Sequence, residues 1–462
     1  MKTARQKTAQ NINMLEGNPV RLVIAFSIPL VFGNIFQQMY YIADAVIVGK
    51  YINIQALAAV NSCSWLTWLL NAIARDLSNT LSILASYSVG EKDPEKLKKI
   101  VGNSCSIAIG LAVFLTIVTE YHLEGIFRLF RVQGDIIAMT REYFSVVLLG
   151  IPFVLIYHVA TALLRAVGNS KITFYAVSAS TVINIGLDLL LIAGFGWGVK
   201  GGALATVIAQ FAAMMIAVIP LLSSKMLPMD LSYWKLDKRL MGQMFGLWAP
   251  MFVNSAVISA GGSFVSSHVN AIGPFFTAGI SSGTRIFTLL ESVIMAIQTG
   301  LSVFIGQNLG AGNAKRVRRG QHQTVIFALL LSALLNLVVQ GLAPQLTGLF
   351  LSPEDPLHAQ TLHVAVADVR VITLGLFIMA PMYLYRIGVQ TLGHPRYPMY
   401  AGFLQLAARV ASVSLLPPLI GEYAYYMATV LAWCVTLPVV VIPFYKYMAG
   451  ENAEKKKGSP TL

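Results

Sequence analysis

This chain is expected to be an all-α membrane protein with twelve transmembrane helices in two pseudo-symmetric six-helix bundles. Three features point there: an apolar composition, the regular return of bilayer-length apolar windows, and an internal repeat. Hydrophobic residues make up 56% of the 462 and charged residues 11%, against about 45–50% and about 25% in soluble domains. With a mean hydropathy of +0.68, the chain has too few polar side chains to cover a soluble fold of this length. The net charge of +13 invites a nucleic-acid reading. However, the Lys and Arg sit in short clusters between apolar runs, as cytoplasmic loops do, so no nucleic-acid partner is expected.

The windows fall at 20–48, 56–88, 99–120, 138–163, 171–193, 202–222, 241–267, 276–308, 322–342, 364–389, 397–418 and 424–446. Each is long enough to cross a bilayer. The first follows a polar tail, is too long for a signal peptide and lacks an A-x-A exit, so it reads as a retained helix. Lys50 closes it. The cluster Lys92 to Lys99 parts the second span from the third, and the ALLRAVGNSK loop (162–171) parts the fourth from the fifth. GFGWGVKGG (194–202) separates the fifth from the sixth, and the polar stretch around Ser223 to Arg239 is the longest loop. In the second half, Lys315 to Arg319 follows span 8, Arg396 precedes span 11, and Lys446 closes span 12.

Alternate loops differ in charge. One set, with the tails, holds 23 of the 33 Lys and Arg; the other holds Lys50, Arg128, Arg131, Arg141 and Lys200. Both termini are therefore expected in the cytoplasm, in a multi-pass protein of the cell (plasma) membrane. The expected domains are a tail 1–19, a lobe 20–222, a linker 223–240, a second lobe 241–447 and a tail 448–462. LSILASYSVG (81–90) pairs with LSVFIGQNLG (301–310), Pro29 with Pro250, and Gly150–Tyr175 with Gly375–Tyr400 through LRAVGNSK and VQTLGHPR. Parallel six-span repeats of this kind suit two bundles facing a cavity and working by alternating access.

Ionisable groups inside spans are costly and mark function. Asp44 lies six residues before Lys50, Asp188 six before Gly194, and Thr206 six after Lys200. At about 1.5 Å per residue these three share a depth, and Asn184 lies on the Asp188 face, four residues away. Two carboxylates, an amide and a hydroxyl are the donors of a site for H⁺ or Na⁺. A purely structural role, capping and hydrogen bonding, is the alternative. Pro29 is a candidate hinge, since it removes a helix hydrogen bond fifteen residues before Asp44.

Gln37, Tyr40, Tyr157 and Glu291 are candidate cavity-lining residues. The pairs Arg75/Asp76 and Asp368/Arg370 read as structural partners of other helices, and His158 as a satisfied intramembrane histidine. Cys63, Cys105 and Cys434 show no CxxC spacing and read as inert core residues. No Walker A, HExxH or adjacent aspartates occur, so no catalytic residues and no cofactor are expected beyond the coupling ion.

The run GNPVRLVIAFSIPLVFGNIFQQMYYIADAVIVGKY (17–51) resembles the first helix of multidrug and toxic compound extrusion (MATE) transporters. QALAAVNS (55–62), ALLRAVGNSK, NIGLDLLLIAGFGWGVKGGALATVIAQ (184–210) and GQNLGAG (306–312) also resemble that family. The resemblance implies a secondary exporter of small amphipathic, often cationic, compounds against a H⁺ or Na⁺ gradient. It also implies a cation site on Asp44, Asn184, Asp188 and Thr206, and bending of helix 1 at Pro29. A C-terminal-lobe site is disfavoured, because the relatives' helix-10 acid falls near Met379 and Phe287 stands where many carry an acid, with Glu291 one turn on. A lipid-linked oligosaccharide flippase, drawing on Arg75, Arg285, Arg370, Arg386 and Arg409, is the alternative. A membrane-embedded enzyme lacks a nucleophile or metal cluster. Two lobes in one chain need no partner, so a monomer is expected.

Overall fold

A computed structural model of the chain describes residues 11–62, 64–129, 132, 134, 136–223 and 230–454. Cys63, Arg131 and the loop cations Lys2, Arg5, Lys7, Lys225 and Lys455–Lys457 lie outside them. The described residues form helices and no strand. In order these are α1 (Pro19–Tyr51), α2 (Ile54–Ser62), α3 (Ser64–Glu91), α4 (Pro94–Leu129), α5 (Ile137–Leu148), α6 (Ile151–Ala166), α7 (Lys171–Asp188) and α8 (Gly198–Ser223). They continue with α9 (Lys238–Ile272), α10 (Pro274–Gly310), α11 (Ala314–Gly348), α12 (His358–Leu374), α13 (Leu376–Thr391), α14 (Arg396–Leu415), α15 (Pro417–Ile420) and α16 (Tyr423–Glu454).

Among the described residues, eight helices are long and apolar enough to cross a bilayer, or ten if each of two bent pairs counts as one span. The pairs are α5 with α6, bent by 41°, and α12 with α13, bent by 47°. Their breaks fall at Gly150 and Gly375, equivalent points of the repeat. α3 and α14, at the second and eleventh expected spans, fall outside that set. The first carries Arg75 and Asp76, and the second Arg396 and Arg409. Eight to ten spans is thus the count that length and composition support, against the twelve expected.

The chain divides into two compact units. The first is Ala25–Phe245 with the segment ending at Asn13; the second is Gly246 onward with Met14–Ile24. This boundary lies beyond the expected linker because Asn103 of α4 holds the linker backbone through Tyr233, Lys235 and Asp237. Met14–Ile24 joins the second unit because the Met14 N–H donates to Gln307 Oε1 (3.3 Å) and Asn308 donates to the Met14 carbonyl (3.0 Å).

Within the first unit, Phe127, Phe144, Leu148 and Leu155 form an apolar core with Leu66, Ala74 and Ala112. The Phe127 and Phe144 rings meet edge-on at 6.4 Å. A second cluster joins Ile47 and Val48 of α1 to Ala56, Ile192 and Val199. In the second unit, Val269, Phe276, Val364 and Tyr426 pack together. Ile326, Leu330, Leu334 and Leu337 recur at helical spacing along α11 and are 58–74% exposed. A continuous apolar face of that kind belongs in hydrocarbon, where a helix satisfies its own backbone.

Candidate functional site

Three helices of the first unit bring the expected residues together. α7 ends at Asp188, and the chain then widens into a π-helical turn, Leu189–Gly194, closed by the Phe195 N–H donating to the Leu190 carbonyl at 2.9 Å. Such π turns recur at functional sites. Nothing in the residues LLLIAG marks one, so reading the sequence as a plain helix misses it. Gly196 and Gly198 take positive φ (+67° and +56°) and turn the chain into α8.

Gly202 sets the α7–α8 spacing. A Cβ there would lie 3.3 Å from Ile192 Cδ1 and 3.8 Å from Asp188 Oδ1. Thr206 stands one turn after Gly202 on the same face. Its hydroxyl lies 3.4 Å from the hydroxyl of Tyr40 on α1, and Asp44 follows Tyr40 by one turn. Asp44 and Asp188 are within electrostatic reach of each other and of Tyr143 on α5. Tyr143 was not singled out in the sequence.

Asn184 and Asp188 are fully buried, and Thr206 is 6% exposed. Among the described residues, both side-chain polar atoms of Asn184 and both carboxylate oxygens of Asp188 lack a hydrogen-bond partner. A buried amide and carboxylate left unpaired cost several kcal/mol. Their oxygens, with those of Thr206 and Asp44, form an all-oxygen donor set fit for a proton or a hard monovalent cation.

Asp44 and Thr206 also line a cavity of about 730 Å³ within the first unit. Gln37, Tyr40 and Tyr157 line it as well, together with Tyr143, Arg75 and His158. His158, expected as a satisfied intramembrane histidine, thus lines the cavity. Among the described residues Arg75 forms no ion pair with another helix, although it is within electrostatic reach of Tyr41 on α1. The Arg75 side chain curls back toward its neighbour, with Nε 3.9 Å from Asp76 Oδ1.

Arg165, expected in a loop, is buried in the last turn of α6, where Nη2 donates to Ser78 Oγ at 2.9 Å. Pro29 lies inside α1. Cys105 is half-buried, whereas Cys434 is exposed and not a core residue.

Glu291 belongs to the second unit, where it accepts a hydrogen bond from the Tyr383 hydroxyl at 2.5 Å. The Arg386 guanidinium lies over the Tyr383 ring, 4.3 Å from its centroid. Arg370 donates to the Gln340 carbonyl at 3.3 Å. Asp368 is 4% exposed, with Oδ2 unpartnered. The repeat register that pairs Lys171 with Arg396 carries Asn184 onto Arg409 and Asp188 onto Val413. At these two positions the second half thus has a guanidinium where the first has an amide, and a valine where the first has an acid.

A family profile described as MatE matches residues 29–190 and again 250–412. The chain is 28% identical over 346 residues to the probable multidrug resistance protein YoeA of Bacillus subtilis (strain 168), across 73% of this chain and 75% of that protein. It is 25% identical over 424 residues to the multidrug export protein MepA of Staphylococcus aureus (strain MW2), across 89% and 90%. Among solved structures, an outward-facing multidrug resistance MATE family transporter superposes with a TM-score of 0.89 at 20% identity, covering 97% of this chain and all of that one. A MATE in the bent conformation gives 0.86, also at 20% identity, covering 98% and 99%.

Proposed function

The chain belongs to the MatE family, and from that premise we propose that it is a secondary active multidrug exporter. In this reading it moves amphipathic compounds out of the cell against inward H⁺ or Na⁺ by alternating access. It sits in the plasma membrane with both termini in the cytoplasm. The observation that carries the coupling site is the pair Asn184 and Asp188, fully buried with every side-chain polar atom unpartnered among the described residues. Beside them Asp44 opens onto the cavity.

Asp44 serves as the point of ion entry from the cavity, and Asp188, with Asn184 and Thr206, as the buried acceptor. A charged carboxylate at Asp188 is tolerated only in the state where the donors converge on a cation. The ion therefore drives the cycle through its different affinity for the two states. Pro29 lets α1 bend between them.

The test is efflux of a fluorescent substrate from proteoliposomes under separately imposed pH and Na⁺ gradients. Asp44→Asn and Asp188→Asn keep side-chain shape and remove the charge. Each is expected to reduce gradient-driven efflux at least tenfold with insertion unchanged. Wild-type rates in both variants would sink the assignment.

A further inference from the structure

The cavity of the first unit has a chemical polarity that Asp44, the one coupling carboxylate lining it, does not explain. Of the Lys and Arg among the described residues, only Arg75 lines it. The side chain is 40% exposed, while that of Asp76, its one ion-pair partner, is 7% exposed. At 3.9 Å the Nε–Oδ1 contact is too long for a hydrogen bond. Asp76 balances the charge without occupying the donors, and Arg75 donates no hydrogen bond to any described group. A guanidinium carries five N–H donors in a planar fork, and one inside a span expected from the sequence is retained at a cost.

The walls around it supply two further elements. Tyr40, Tyr41, Trp68, Tyr143 and Tyr157 line the cavity, and aromatic side chains suit a flat aromatic body. Asp44 stands on α1, and in the proposed function its carboxylate serves the coupling ion.

We propose that Arg75 is the anion-recognising residue of this cavity, and that the preferred substrates are aromatic amphipathic compounds bearing a carboxylate, anions or zwitterions in place of simple lipophilic cations. This rests on the exporter reading for the cavity being the substrate site. A single guanidinium matches one carboxylate through two parallel N–H···O bonds. A lipid-linked diphosphate carries more charge than one cation balances. Arg285, Arg370, Arg386 and Arg409, the other arginines read within the spans, belong to the second unit.

The experiment measures binding to purified protein in lipid nanodiscs, with no gradient, by anisotropy of two xanthene dyes: one with a free carboxylate and the other its ethyl ester. Wild type is expected to bind the carboxylate dye more tightly. Arg75→Gln weakens that dye on the order of ten- to a hundredfold, the span of a charge-assisted hydrogen bond, and changes the ester less than about threefold. Arg75→Lys, which keeps the charge and loses the fork, recovers part of the loss. An Arg75→Gln that weakens both dyes equally, or leaves the carboxylate dye unchanged, overturns the proposal alone. A folded wild type that binds neither dye overturns it together with the exporter reading. Since no gradient is applied, loss of coupling in Asp44→Asn with dye discrimination intact leaves the Arg75 assignment standing.

Discussion

Removing one side chain, Asn103, is expected to unfasten the linker that follows α8. Asn103 is 1% exposed. Its Nδ2 donates to the Tyr233 and Lys235 carbonyls at 3.1 and 3.2 Å, and its Oδ1 accepts from the Asp237 N–H at 2.8 Å. Ser106 adds a bond to the Trp234 carbonyl at 2.7 Å, and the Tyr233 hydroxyl donates to Glu95. Asn103→Ala deletes three bonds to the linker, at about 0.5–1.5 kcal/mol net each, or roughly 1.5–4.5 kcal/mol of local opening free energy. At 1.4 kcal/mol per factor of ten, amide exchange over 230–237 should rise roughly ten- to a thousandfold. Hydrogen exchange with mass spectrometry reads this directly, with peptides of α11 as the internal reference. Gly102→Ala should give the same local signature without deleting a bond, because its Cβ would lie 2.3 Å from the Tyr233 carbonyl oxygen. Unchanged exchange over 230–237 in Asn103→Ala, or an equal rise in α11, would refute the clasp.

Other consequences follow from the same contacts. Pro29→Ala restores a backbone donor inside α1 and is expected to slow gradient-driven efflux severalfold while leaving dye affinity unchanged. A parallel loss of affinity would argue against a hinge. Tyr383→Phe removes the hydrogen bond to Glu291 and should cost about 1.5–3 kcal/mol, the range for a charged acceptor. Thermal unfolding should register it while the ion dependence of efflux stays as in wild type. Asp230 caps the turn Leu231–Trp234, and the Ser232 N–H, at 2.8 Å, holds its carboxyl below the usual carboxylate range. A folded value depressed below the unfolded one, about 3.9, gives a cap that contributes fully above it and is lost as pH falls through the lower folded value. In ¹⁵N-serine-labelled protein, the Ser232 amide resonance should move only below about pH 4; a midpoint above about pH 5 would contradict this.

Much of the architecture was legible because membranes punish exceptions. Apolar windows of bilayer length and a charge-sorted loop pattern can hardly arise otherwise. The repeat even places its two breaks, at Gly150 and Gly375, at equivalent positions. Of the candidate site, Asn184 and Asp188 stand out in the sequence through their spacing of four, and Asp44 through the rarity of carboxylates in spans. The π turn after Asp188 does not, since an extra residue in a helical turn leaves no trace in LLLIAG. Tyr143 looks like any aromatic of a span. The burial of Arg165 was hidden because its partner, Ser78, is 87 residues away. Length and composition alone count eight to ten spans for a related reason. α3 and α14 carry the polar groups that a cavity or a buried network needs, and these lower their hydropathy below that of lipid-facing helices.

The divergence of the two halves bears on where an ion can act. In the repeat register, Arg409 replaces Asn184 and Val413 replaces Asp188. Arg409 is 8% exposed, and its Nη1 donates to the Ile258 carbonyl at 3.0 Å. A guanidinium keeps its proton throughout the physiological range, so that position holds a permanent positive charge where the first half holds a neutral oxygen donor. If the first-unit quartet is the coupling site, its counterpart carries a tethered cation that cannot be exchanged with solvent. In that reading an ion gradient acts on one half only, and the duplicated half does not itself respond to the gradient. The second half is not devoid of acids, since Glu291 and Asp368 are both present. But Glu291 is engaged by Tyr383, and Asp368 sits against Gly283, where an added Cβ would fall 2.4 Å from its Oδ2. Neither occupies the register of Asp188. The repeated sequence thus carries an asymmetric charge pattern, and in the exporter reading that pattern leaves the first unit as the one that answers to the ion.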